Sequence, residues 1–182
     1  DPRTVQEAHL IDRLAHGELE ALARAGAGVL NADAVAWARR NEIEFEAART
    51  GAEHPGTLIV TEAPHSGVRA ITSSQERLFV AAPILPGLLL EAAPFLVHLS
   101  GDGLLLNSAN LHGSWPADAR PCRTVSAIGD GIERDPSVLG RFTELCADAE
   151  SIWSEPGALH ARFVEGFESD QRVRLLHAEW LA

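Results

Sequence analysis

The chain has 182 residues, 46% of them apolar, and carries a formal charge of -11 from 26 acids against 15 bases, every base an arginine. That is enough for one large or two small domains with a real core. An acidic chain without lysine has no electrostatic footprint for nucleic acid or an anionic membrane, so neither is expected as a partner. Cys122 and Cys146 stand far apart with no C-x-x-C, which predicts neither a disulfide framework nor a zinc site and fits a reducing, cytoplasmic setting. The longest apolar stretch, "LFVAAPILPGLLLEAAPFLV", is broken by three prolines and a glutamate and does not read as a membrane span. The chain opens without Met or a signal peptide, which reads as a start inside a longer gene product.

In chain order, "GELEALARAG" places Leu19, Leu22 and Ala23 on one face of a short helix that stops at Gly26, a residue suited to a left-handed cap. Val29-Leu30 is expected as a brief buried step. Asn31 or Asp33 then offers an acceptor to the free amides of a second helix running to about Arg40. "NEIEFEAA" alternates glutamates with Ile43, Phe45 and Ala47, the period of a strand with one solvated face, and "GTLIVTEA" follows the Pro55-Gly56 turn as a more buried strand.

The second half repeats a unit. "RLFVAAPILPGLLLEAAPFLV" from Arg77 and "RTVSAIGDGIERDPSVLGRFTELCADA" from Arg123 each run strand, Gly/Pro loop, helix. In the second copy Asp135 is a natural N-cap, Pro136 fits the first turn, and Val138, Leu139, Phe142, Leu145 and Cys146 make a buried stripe. "SIWSE", "ALHARFVEGF" and a last helix capped by Ser169 complete a β-α-β-β-α order, that of a small ferredoxin-like α+β domain.

Several ordered blocks, "DPRTVQEA", "ALARAGAGVLNADAVAWARRNEIEF" and "HPGTLIV", resemble aspartate kinases where the amino-acid-kinase domain ends and the regulatory region begins. "VSAIGDGI", "DPSVLGRF", "HARFV" and "LLHAEWL" resemble the last ACT module of that family. The resemblance covers nearly the whole chain. It implies an α+β fold of ferredoxin-like ACT modules (βαββαβ type) behind a short αβ remnant of the kinase domain. The bounds are 1–62 for the remnant, 63–120 for a first, truncated module and 121–182 for the second. The truncation is read from the short passage "LHGSWPADARP", which leaves little room for a later strand and helix.

The family's nucleotide contacts fall on Arg3, Gly28 and Val29. Its usual Gly-Ala-Lys-Val-Leu turn has glycine here where the family offers a cation, and its His-Pro is Asn31-Ala32. A helix cap and tight turn explain both glycines of "GAG" without any ligand. The glycine- and lysine-bearing motif with which the family holds ATP phosphates is absent, so no catalytic residue and no metal ligand is assigned. ATP and Mg belong to the complete kinase, and this chain is not expected to phosphorylate aspartate alone.

For the first module the resemblance puts an effector loop at Gly87, Leu88 and Leu89, facing strand residues 104–108. Leu104 stands where lysine-sensitive relatives carry an aspartate, with Asp102 two positions earlier on the same face of an extended strand and Asn107 and Ser108 beyond. The implied function is the regulatory, dimerising region of an aspartate kinase, with an amino-acid effector such as lysine or threonine and a homodimeric assembly. The alternative is a non-catalytic ACT protein, either amino-acid-binding or a structural dimerisation module. Other chemistry ranks low. His65 and Ser66 read as a turn, His9 and His16 as solvated, His177 and Trp180 as packing, and the two "GDG" triplets as turns.

Overall fold

The computed structural model describes residues 4–28, 30–48, 51, 55–63, 65, 67–84, 86–109 and 118–182. The first part of the chain builds a small αβ unit. A short strand β1 (Arg13–Ala15) leads directly into α1 (His16–Arg24), followed by α2 (Ala32–Arg40), β2 (Phe45–Ala47) and β3 (Thr57–Val60). β3 is the centre of a three-stranded sheet, parallel to β1 and antiparallel to β2. Leu14, Leu19, Leu22, Val35 and Ile59 bury one core against Ile128 and Ala158 of the second sheet, so the unit is packed onto the rest of the chain.

β1 is unforeseen in the sequence, since three residues carry no period. His16, expected in solvent, is buried as the first residue of α1, and its Nε2 shares a 2.7 Å hydrogen bond with the Ile43 carbonyl. α2 is capped by Asn31, whose side chain accepts from the amides of Asp33 and Ala34. Leu30, expected in a buried step, is 40% exposed, because the α1–α2 connection crosses the surface. Its neighbour Val29 lies outside the described residues.

The second sheet has six strands: β4 (Ala70–Ala81), β5 (Leu96–Ser100), β6 (Gly103–Asn107), β7 (Arg120–Ile128), β8 (Ser151–Glu155) and β9 (Ala158–Val164). Their spatial order is β5-β6-β4-β7-β9-β8, and every neighbouring pair is antiparallel. With α3 (Pro86–Ala92) and α4 (Pro136–Leu145) the sheet divides into two β-α-β-β halves, β4-α3-β5-β6 and β7-α4-β8-β9. Each half has its first strand at the middle of the sheet, and β4 and β7 pair with each other. In a complete ferredoxin-like module a further strand would take that place beside the first strand. Here each half fills it for the other, so the two halves are joined inside one chain.

The strand expected to begin at Arg77 begins at Ala70, and its polar first half lies along β7. β5 was expected as helix. Pro94 removes an amide, α3 gives way to a single 3-10 turn at Ala93–Phe95, and the chain turns back as a strand. The first "GDG" makes the β5–β6 turn, and the second follows β7.

One face of the six-stranded sheet carries helices. α5 (Ser169–Trp180) and α4 cover Val125, Ala127, Leu159, Ala161 and Phe163, with Phe142, Cys146 and Leu176 between the layers. Each fully buried Leu, Ile or Phe of this kind contributes about 1.5–3 kcal/mol. Asp135 caps α4 by accepting from the amides of Ser137 and Val138. Leu139, expected in the stripe, points outward and is 38% exposed, and Ser169 is the first residue of α5 rather than its cap. α3 covers the other half through Leu88 and Leu89 over Val80, Leu104 and Leu106.

The opposite face is concave. Side by side, six strands span five intervals, roughly 24 Å if flat. Yet His98 on the edge strand β5 stacks on Trp153 of the other edge strand β8, with ring centroids 4.6 Å apart. The sheet therefore rolls until its edges meet through side chains. Asp102 in the β5–β6 turn reaches Arg162 of β9 at 3.1 Å, closing the trough a second time.

Candidate functional site

The interior of the trough is lined by polar residues that strand alternation places opposite the helices: Arg77, Thr124, Ser126, His160 and Arg162, all buried. Arg162 is neutralised. It pairs with Glu150 and Asp102, donates to Ser151 Oγ, and lies 3.7 Å over the Phe79 ring. The Ser100 hydroxyl and, after it, the Arg162 guanidinium hold the Asp102 carboxyl below its usual range.

Arg77 is different. Only 2% exposed, it donates from Nη2 to the Arg24 carbonyl at 2.9 Å and from Nη1 to the Glu76 carbonyl at 3.1 Å. The first of these bonds caps the C-terminus of α1, where the helix dipole favours a cation. Its Nε has no partner, and it makes no ion pair among the described residues. Burial pushes its pKa down. His160 completes the pattern. Its Nδ1 shares a 2.8 Å hydrogen bond with Ser126 Oγ, while its buried Nε2 has no partner among the described residues. Burial first, then the charge of Arg77, brings its pKa to about 3, so the ring is neutral. Trp153 stacks on it at 4.9 Å, between His160 and His98.

These groups border a cavity of about 500 Å³ between the αβ unit and the trough. Its floor holds Arg77, Thr124 and His160. One wall is apolar, with Pro94, Phe95, Leu96 and Val97. The mouth carries Leu30, Asn31 and Asp33 from the α1–α2 connection and Glu155 from β8. α1 is fixed against this floor at Gly26, which takes φ 96°. A Cβ there would lie 2.7 Å from Ser74 Cβ and 3.1 Å from Arg77 Nη2, so only glycine brings the helix end down onto β4.

Within one chain, the described residues among those expected to form sites stand apart from one another, except that Leu88 and Leu89 pack with Leu104. Arg3 and Val29 lie outside the described residues. Gly28 sits exposed in the α1–α2 connection and brings no cation to a phosphate. Leu104 is fully buried under α3, where Leu88 and Leu89 also pack, and none of the three presents a polar group. Asp102 lies in the turn before β6, outside the strand, so its expected alternation with Leu104 does not hold. Gly87 is exposed near the start of α3. Asn107 lies at the far end of β6, roughly 13 Å along the strand from Gly103. Among the described members of the set Asn107 alone borders the cavity, and its Oδ1 accepts from the Ala109 amide, while the Ser108 amide donates to the Glu76 carbonyl. Sequence reading missed Arg77, Thr124 and His160 as a group. The one available signal was polar residues at every second position of apolar strands, as in "TVSAI" and "LHARF".

Among the described residues no cluster of three His, Cys, Asp or Glu side chains could hold a metal ion, and no helix is long and apolar enough to cross a membrane.

Fold and cavity together define a class: an α+β protein in which two ferredoxin-like halves share one rolled sheet, with a small αβ unit closing a pocket on its concave face. Solved aspartokinases share that fold. Escherichia coli aspartokinase III in complex with aspartate and ADP (R-state) superposes with TM-score 0.80 at 18% identity, over 98% of this chain and 48% of its own. The same enzyme in complex with lysine and aspartate (T-state) gives 0.74 at 20% identity, over 100% of this chain and 49% of its own. Clostridium acetobutylicum aspartate kinase gives 0.70 at 17% identity, over 98% and 50%. The chain thus spans about half the length of these structures. No family model and no curated protein sequence matches it.

Proposed function

We propose that this chain is the regulatory region of an aspartate kinase, binding an amino-acid effector and pairing with a second copy. The observation that carries the reading is the likeness in fold to aspartokinases over 98–100% of the chain. In this reading the complete enzyme transfers the γ-phosphoryl group of ATP to the aspartate side chain, and this part supplies no reacting group.

Leu88 and Leu89 of α3 pack against Leu104 in the core, so in this reading the facing strand comes from the second copy. Supporting this, the outer edge of β5 pairs with no strand among the described residues, and Leu99 on it and Leu90 on α3 are both exposed. The backbone at Gly87 takes the effector's carboxylate in this arrangement. Calorimetric titration of the chain with lysine, threonine, methionine and aspartate, with ATP-Mg as a separate arm, tests the reading, and sedimentation tests the pairing. Saturable binding of one amino acid by a dimer, with no response to ATP, is the expected result. Silence towards all four amino acids by a well-folded dimer would leave a dimerisation module and overturn the sensing role.

A further inference from the structure

A buried guanidinium without an anion is costly, because desolvation of the charge is not repaid by a partner. Arg77 donates to two carbonyls and has the Glu76 charge beside it, yet no carboxylate pairs with it among the described residues, and its unpartnered Nε and the unpartnered Nε2 of His160 both belong to side chains on the floor of the same cavity. Thr124, also on the floor, adds a hydroxyl. Three polar groups at the bottom of a pocket that has one apolar wall, at Pro94, Phe95, Leu96 and Val97, match the small set of polar contacts that orients a ligand in a binding site. Their common complement is a carboxylate, which accepts two or three hydrogen bonds and supplies the missing negative charge.

The mouth has the opposite sign. Asp33 and Glu155 stand there, and the Arg24 guanidinium that also borders the cavity is already paired with Glu20, so a dianion such as phosphate meets net repulsion on entry, whereas an ammonium group is attracted. We propose that this cavity is a binding site for a small zwitterion, with its carboxylate on Arg77 and His160 and its ammonium towards Glu155. The apolar wall at Leu96 and Val97 selects a neutral, aliphatic remainder. This site is separate from the opening of α3 and does not depend on the regulatory reading. A ligand here touches β4, β7 and β9 while lying against the end of α1, so it ties the αβ unit to the sheet.

The test is calorimetry on the whole chain with L-valine, propionate, propylamine and inorganic phosphate as probes. L-valine binds saturably, propionate about tenfold more weakly, and phosphate not at all, each tenfold corresponding to about 1.4 kcal/mol. His160→Asn, which keeps a polar atom facing Ser126 but lacks Nε2, and Thr124→Val each weaken L-valine about tenfold. Glu155→Gln weakens L-valine and leaves propionate unchanged, a readout that misfolding would not produce. Circular dichroism confirms that each variant is folded.

Absence of saturable L-valine binding, phosphate binding more tightly than L-valine, or affinity unchanged in both His160→Asn and Thr124→Val would overturn the proposal. Binding lost in Gly87→Glu but retained in the cavity variants would place the ligand at α3. That result would overturn this site while supporting the proposed function.

Discussion

Replacing His160 with asparagine also reads out how dry and how positive the trough is. Burial, and after it the charge of Arg77, brings the His160 pKa to about 3, against about 6.5 for an exposed imidazole. Between those values the unfolded chain binds a proton that the native chain refuses. Stability therefore rises with pH across this window and is lost as pH falls from about 6.5 towards 3. A full proton is worth about 1.4 kcal/mol per pH unit. From about pH 7 to about pH 4.5 the wild type loses about 2.5 kcal/mol on this account, and the asparagine variant loses none of it.

Urea unfolding of both proteins at steps across the window measures the effect. Burial also lowers the pKa of His98, which is present in both proteins and adds the smallest part of the His160 shift. Asp102 and Glu179, both held below their usual values, act at lower pH. The variant is less stable at neutral pH, and the gap between the two proteins narrows on acidification. A gap that stays constant over the window would refute the claim that His160 is buried and neutral.

Two further outcomes are expected. Gly26→Ala forces a left-handed φ on alanine and drives its Cβ into Ser74; a loss of about 1–3 kcal/mol is expected by thermal or urea unfolding, and an unchanged midpoint would mean that α1 does not sit on β4 as described. Cys122 and Cys146 are both buried, and burial pushes each thiol up to about 11. Native protein should react with a disulfide reagent roughly a hundredfold more slowly than unfolded protein, whereas prompt titration of either thiol would contradict its burial.

What local chain chemistry dictates was legible in the sequence. Asn31 and Asp135 announce the starts of α2 and α4 because a short acceptor side chain satisfies amides only two or three residues away. The stripe of Phe142 and Cys146 and the alternation around Phe45 follow from helix and strand periods, and the β-α-β-β order of the second half follows from those elements in turn. The lack of lysine is a property of composition alone, and the glycine at position 28 is read directly from the sequence.

Long-range geometry decided the rest. β1 and β5 are strands because β3 and β6 lie beside them, and nothing within three or five residues encodes that neighbour. Within one chain Leu104 lies in the core because α3 packs onto that face of β6 and buries it, while Asp102 is drawn across the trough to Arg162. His160, Arg77 and Thr124 come from three strands, and each reads singly as an ordinary polar residue. They become a site only when the sheet rolls and α1 closes its end, because an unpartnered nitrogen is costly only where water has been excluded.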